Sequence, residues 1–221
     1  MQFIFMLTVN DRTIDNAIEV LEMVAPLGLR HIGFKDVGAD LETLRLINGK
    51  IKVSGADSYL EVVATSRAAA LNSARMAVEI GVDHLLGGTL VEETLEILNG
   101  SGIGYYPFPG NPSGHPTKLG GTAEKIAADT ERFLALGCAG VDLLAYRATE
   151  AEPVELIRAA REALGPMGKL ICAGDVDSPA RIAELRAAGA SHFTVGSAAI
   201  QLAFCEAPTL VGQLEGILAC L

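Results

Sequence analysis

Two glycine-ended segments late in the chain, Gly174-Asp175 and Gly196-Ser197, carry the clearest chemical signal in the sequence. Each closes a short apolar run, Leu170–Ala173 and His192–Val195, and each opens a helix-like pattern. Backbone N–H groups at such helix starts have no intrahelical acceptor, and the helix dipole draws anions to them. Adjacent parallel strands that end this way hold a phosphate in many (β/α)8 barrels. Gly174, Gly196 and Ser197 are therefore candidate substrate-binding positions, with Asp175 beside them as an acid or base. The alternative is structural: glycines for tight turns, and Asp175 capping the next helix.

The second chemical candidate is Lys35, which follows Gly33-Phe34 and precedes Asp36-Val37-Gly38. Strand alternation puts Ile32 and Phe34 on one face and His31, Gly33 and Lys35 on the other. On the next strand candidate Leu60, Val62 and Ala64 share a face, leaving Glu61, Val63 and Thr65 opposite. In a barrel the outer face is covered by helices and must be apolar, so Lys35 and Glu61 are expected inside, side by side. An amine among apolar walls has a lowered pKa and can form a Schiff base or act as a general base. Glu61 or Asp36 would then carry protons. A plain ion pair between Lys35 and Glu61 is the structural alternative. The same alternation turns Asp142, Leu144 and Tyr146 inward on a sixth strand, and His192, Thr194 and Gly196 inward on an eighth. Asp142 and His192, near strand beginnings, suit a structural pair at the barrel bottom as well as they suit catalysis.

Three more cations are candidates for holding an anionic substrate. Arg67 lies one turn beyond the third strand candidate, and His115 and Lys118 sit within the Gly/Pro-rich loop Pro109–Thr122. Long loops in compact domains are commonly lids, binding loops or disordered segments, and a mobile surface loop is the alternative here. No His-x-His, no Cys-x-x-Cys and no carboxylate pair at helical spacing in a βα loop supports a metal site, and neither metal nor cofactor is expected.

These side chains need a scaffold, and the chain supplies eight strand-then-helix units. The strand candidates are Phe3–Val9, His31–Phe34, Tyr59–Ala64, Val82–Leu86, Gly104–Phe108, Val141–Ala145, Leu170–Ala173 and His192–Val195. Helical spacing separates them, as in Ile14-Ile18-Leu21 and Ala180-Ile182-Ala183-Leu185. Gly28, Gly81, Gly137 and Gly189 fit helix C-caps that feed the next strand. No Asn-Gly or Asp-Gly signal marks a hairpin between strands, so the pairing is expected to be parallel. Eight such units close into a single-domain α/β (β/α)8 TIM barrel spanning residues 1–221. A doubly wound sheet would carry a Gly-x-Gly-x-x-Gly turn after the first strand, and Thr8–Thr13 has no glycine. Ile51–Val53 is a rival choice for the third strand.

Composition narrows the partners. A net charge of −10 over 221 residues, with no basic stripe, argues against nucleic acid. It leaves room for a small phosphorylated metabolite, which responds to its pocket alone. No run reaches the ~18 apolar residues that span a bilayer, so no membrane partner is expected. The apolar MQFIFMLTV opening lacks a basic lead and reads as a strand rather than a signal peptide. Cys138, Cys172, Cys205 and Cys220 show no paired spacing and fit reduced thiols of a cytoplasmic protein. The oligomeric state is open, a homo-oligomer included.

With AGDVDSPARIAELRAAGASHFTVGSAAI in view, the last quarter of the chain resembles the ribulose-phosphate-binding barrels. That group includes phosphosugar epimerases, indole-glycerol-phosphate synthase, acylmannosamine-phosphate epimerase and thiazole synthase. The resemblance implies a phosphate gripped by the last two βα loops, at Gly174, Asp175, Gly196 and Ser197. HIGFKDVGAD is similar to the second-strand lysine segment of a furan-phosphate synthase that uses Schiff-base chemistry on triose phosphates. The Asp-x-Lys-x-x-Asp of the group's decarboxylases is absent, because Lys35-Asp36 lacks the leading aspartate.

The combined expectation is an enzyme acting on a small phosphorylated sugar or keto compound. The leading form is an aldolase-type lyase with Lys35 as amine and Glu61 as proton shuttle. An isomerase or epimerase in which the same pair moves a proton without an imine is the first alternative. A ligand-binding barrel without turnover is the second.

Overall fold

The computed structural model describes residues 1–63 and 66–221. Its eight parallel strands are β1 Gln2–Met6, β2 His31–Lys35, β3 Asp57–Val62, β4 His84–Gly87, β5 Gly104–Tyr106, β6 Gly140–Leu143, β7 Lys169–Cys172 and β8 His192–Val195. They form one sheet in the order β6-β7-β8-β1-β2-β3-β4-β5. The ends of that sheet approach each other: Ala139 N–H donates to the Tyr105 carbonyl at 3.0 Å and Asp142 N–H to the Pro107 carbonyl at 3.1 Å. The result is a nearly closed (β/α)8 barrel in a single domain, as the alternation of elements predicts.

Outside the strands run α1 Ala17–Val24, α2 Leu41–Val53, α3 Arg67–Ile80, α4 Val91–Leu98, α5 Ala123–Ala135, α6 Pro153–Leu164, α7 Pro179–Ala188, the short α8 Ser197–Ile200, and α9 Leu210–Leu218. Ile51–Val53 is the last turn of α2, and the third strand starts at Asp57. The expected strand end at Ala64, and Thr65, lie outside the described residues. Side chains at the mouth cap several helices: Asp40, Ser66, Thr122, Ser178 and Thr209 each accept an N–H from the first turn. Those caps satisfy donors that would otherwise be orphaned where the βα loops enter. At the other end Gly81 turns left-handed (φ 75°) and donates its N–H to the Ala77 carbonyl, closing α3 before β4. An L-residue would be strained there.

The period-2 alternation of the strands divides the core in two. Phe3 and Phe5 of β1 belong to the large cluster between strands and helices. Their neighbours Ile4 and Met6 join Tyr59, Leu86, Tyr106 and Ile171 in a separate cluster inside the barrel. Packing side chains into the lumen makes it a solid core, so chemistry is confined to its ends. At the N-terminal end His31, His84 and His192 form an aromatic floor, with the His31 and His192 rings 5.6 Å apart and nearly perpendicular. Burial, reinforced by the charge of His31, depresses the His192 pKa to about 3. Asp142 is not its partner: it lies higher in the lumen, among Glu61, Lys35 and Arg147. The expected bottom-of-barrel pair is therefore absent.

Two small antiparallel hairpins were not foreseen. Both sit in βα loops, one pairing Thr8–Val9 with Arg12–Thr13, the other Asn111–Ser113 with Lys118–Gly120. The first turns through Asn10 and Asp11, both left-handed at φ 51° and 57°. That is the mirror-image two-residue turn which Asn and Asp tolerate without glycine. It also ends β1 at Met6, short of the expected Val9. The cysteines form no disulfide; Cys138 and Cys172 are buried. Among the described residues no helix is long and apolar enough to cross a membrane.

Candidate active site

Lys35 ends β2 with its side chain inside the barrel, only 7% exposed. Its Nζ lies 2.6 Å from Asp11 Oδ1 and 3.2 Å from Glu61 Oε1. Glu61 is its direct cross-strand partner on β3, as the alternation predicts. Asp11 arrives by a different route, on the tip of the first hairpin. The second arm of that hairpin is tied to Lys35 itself: Thr13 Oγ1 donates to the Lys35 carbonyl at 2.9 Å and accepts its N–H at 2.8 Å. One turn thus fixes both the lysine's backbone and the carboxylate that faces its amine.

The electrostatics reverse the expectation of a low-pKa amine. Burial does pull the Lys35 pKa down, but the charges of Glu61 and Asp11 outweigh it, and the net shift is upward. Burial likewise opposes the charge on Asp11, but Lys35 and Arg147 hold its carboxyl below the usual range. The sequence places Asp11 at the mouth, after the first strand, but does not place it against the Lys35 amine.

Asp36 is not a proton carrier for this lysine. The alternation that turns Lys35 in turns Asp36 out, where it accepts from Ser73 Oγ at 2.6 Å and Val63 N–H at 2.9 Å. It fastens the end of β2 to β3 and α3. Tyr146 also departs from its expected inward position. Strand β6 stops at Leu143, and a 3-10 turn over Ala145–Arg147 breaks the alternation. Tyr146 then packs outside, its hydroxyl donating to Glu184 Oε2 at 3.0 Å. Arg147 takes the inward place instead, 3.3 Å from Asp11 Oδ2 and 3.4 Å from Asp175 Oδ1. Sequence reasoning missed Arg147 because a period-2 rule has no validity beyond the strand.

Beneath this network lies Asp142, fully buried, with both carboxylate oxygens free of hydrogen-bond partners among the described residues. Burial, and secondarily the charge of Glu61, push its pKa well above the ordinary carboxylate range. Its surroundings thus favour the protonated acid over the carboxylate.

A cavity of about 430 Å³ opens above these groups. Lys35, Glu61, Gly174, Asp175, Gly196 and Ser197 all line it, together with Arg147, Asp177 and Arg181. The structure thus brings the lysine pair and the two glycine-ended loops into one space. Arg67, His115 and Lys118 are not in it. Arg67 lines a second depression, of about 310 Å³, and pairs with Glu93 at 2.6 Å. His115 and Lys118 are exposed on the second hairpin, whose Pro112, Ser113, Gly114 and Thr117 reach that depression. The hairpin is anchored at its base by Gly110 N–H to Asp129 Oδ2 at 2.8 Å and by Gly121 N–H to Glu150 Oε2 at 2.9 Å.

Both glycines have a packing reason in the fold. A Cβ on Gly196 would lie 2.7 Å from Thr8 Oγ1, 2.9 Å from the Thr8 carbonyl and 3.0 Å from the Met6 carbonyl. At Gly174 (φ 77°) it would strike Arg147 Nε at 2.6 Å. Gly196 thus lets β8 close against the end of β1. Gly196→Ala is expected to cost about 1–3 kcal/mol of stability in thermal or urea unfolding without ligand, because backbone cannot yield as a side chain does. Unchanged unfolding in that variant would refute this packing role.

No protein-family model matches the chain, and no curated protein matches it in sequence. Solved structures do match in fold. A native KDPGal structure superposes with a TM-score of 0.71 at 14% identity, covering 100% of this chain and 97% of the other. A 3-hexulose-6-phosphate synthase gives 0.68 at 17%, covering 100% of each chain. The N-acetylmannosamine-6-phosphate 2-epimerase from Clostridium perfringens gives 0.62 at 11%, covering 99% and 92%. The likeness is one of fold, that of a (β/α)8 barrel.

Proposed function

We propose that this chain is an enzyme that moves a proton next to the carbonyl of a small phosphorylated sugar or keto compound, as an isomerase or epimerase does. One observation carries this reading: Lys35 Nζ sits between two carboxylates, at 2.6 and 3.2 Å, and is held charged. An ammonium so placed stabilises the oxyanion of an enediolate. Glu61 removes the proton from the carbon beside the carbonyl, the C–H electron pair enters the new C=C bond, and the negative charge on oxygen develops against Nζ. Protonation from the opposite face by solvent, with Glu61 releasing the proton it took, gives an epimer. Return of the proton by Glu61 to the neighbouring carbon, with the enediol O–H proton passing to the other oxygen, gives an isomer. The phosphate end of the substrate rests where β7 and β8 finish, at Gly174, Gly196 and Ser197. There the first N–H groups of α8 lack intrahelical acceptors. Phosphosugar names among the fold neighbours agree with this substrate class.

The imine-forming lyase moves to second place, because Lys35 would first have to surrender a proton to Asp11 or Glu61. Both carboxylates are within reach to accept it, which keeps that reading testable. Incubation with phosphorylated aldoses and ketoses in deuterated water separates the readings. The expected result is deuterium at the carbon beside the carbonyl, with no adduct at Lys35 after borohydride. A borohydride-dependent mass gain at Lys35 would replace proton transfer by the lyase. Binding with neither exchange nor adduct would leave a ligand-binding barrel.

A further inference from the structure

Arg181 lies on the first turn of α7, in the wall of the same cavity as Lys35. Its guanidinium stacks over the Tyr146 ring, 4.8 Å from the centroid. Tyr146 is itself held, its hydroxyl sharing one proton between Glu184 Oε2 at 3.0 Å and the Arg181 carbonyl at 3.2 Å. A planar cation on a fixed ring keeps its orientation, so little freedom is lost when it binds an anion. Nη1 donates to the Asp175 carbonyl and lies 2.9 Å from Asp177 Oδ2. Among the described residues Nε and Nη2 have no acceptor. The other arginine of the cavity, Arg147, is engaged on both sides by Asp11 and Asp175.

The geometry points to Arg181 as the side-chain clamp for the substrate's phosphate, with Asp177 occupying the clamp as an internal competitor until the phosphate displaces it. This rests on the phosphorylated-substrate reading given above and names the residues that would select for it. The displacement is physically reasonable. Asp177 is half exposed (53%), and an ion pair in that setting adds little stability. A phosphate offers more charge and more acceptor oxygens, and it can take two parallel N–H bonds from a guanidinium. No covalent step is involved; one anion replaces another.

The competitor role predicts opposite signs for two neighbouring substitutions, which a general weakening of the loop would not produce. Binding of inorganic phosphate is followed by calorimetry for the wild type, Arg181→Gln, Asp177→Asn and Tyr146→Leu. Arg181→Gln is expected to weaken binding by about tenfold or more, as for loss of a charge-assisted contact. Asp177→Asn should tighten it about threefold, by freeing an exposed pair. Tyr146→Leu should fall between wild type and Arg181→Gln. Arg181→Lys, which keeps the charge but not the fork, should recover only part of the affinity. Thermal unfolding of each variant verifies that the barrel is intact; should Arg181→Gln unfold, the Asp177→Asn sign decides. If the wild type binds phosphate and Arg181→Gln binds it equally, the clamp is refuted while the phosphate site stands. If Asp177→Asn weakens binding, the competitor role is refuted. If the wild type binds no phosphate at millimolar concentration, the phosphorylated-substrate reading fails, and the clamp with it.

Discussion

Lys35→Met is expected to abolish turnover, by about 10²–10⁴-fold or more, the usual range for a group acting in proton transfer. Methionine keeps most of the volume and removes the charge, so the loss should appear in kcat more than in fold. Stability falls as well, because the variant breaks a buried ion pair and removes the cation that Asp11 and Glu61 share, leaving Arg147 paired with Asp11. Removing one partner of such a pair costs about 3–5 kcal/mol.

The pH dependence of that loss has a definite sign. In the wild type Asp11 is depressed, so its contribution is complete above ~pH 4 and is lost only as pH falls through its folded value. Lys35 is raised, so its contribution is complete below ~pH 10 and is lost only as pH rises through its folded value. Between those limits the wild-type contribution of this pair is flat. Without the lysine, Asp11 keeps the burial that favours its protonated form and loses the larger of the two charges that oppose it, so it binds a proton more readily in the folded state. The variant therefore loses stability as pH rises, and its deficit against wild type should be larger at pH 8 than at pH 5. Urea unfolding at the two values measures it. An equal deficit at both, or persistent turnover, would remove Lys35 from the centre of the site.

Asp142→Asn should act in the opposite direction. Asp142 is fully buried and has no hydrogen-bond partner among the described residues, and its folded pKa lies well above the ordinary carboxylate range. A carboxyl raised in this way binds its proton in the folded state at pH values where the unfolded state has released it. Wild-type stability from this residue consequently declines as pH rises above ~pH 4. An amide of the same shape does not titrate, so the variant should be the more stable protein at pH 8, by about 1 kcal/mol or more. The advantage should vanish near pH 4. Infrared spectroscopy gives an independent check: the carbonyl stretch of a protonated acid at neutral pH should disappear in the variant. A variant less stable than wild type at pH 8 would show that Asp142 has a charged partner.

The order of elements, the parallel pairing and the inward placement of Lys35 and Glu61 follow from local rules. Alternation and helical spacing are short-range properties, and a lysine at a strand end cannot lie on a face that helices must cover. The glycine-ended runs at Gly174 and Gly196 were legible for the same reason. What local rules could not supply is the company each charge keeps. Asp11 reaches Lys35 through a mirror-image turn without glycine, 24 positions away in the chain. Arg147 enters because a 3-10 turn resets the alternation after β6, and the same reset sends Tyr146 out to support Arg181. Closure of the barrel, not the sequence around any one residue, brings Asp142 beneath Glu61. Those through-space neighbours set whether Lys35 is a neutral nucleophile or a held cation. Coulomb energy depends on distance in the folded chain, and strand periodicity carries no information about which charges will converge.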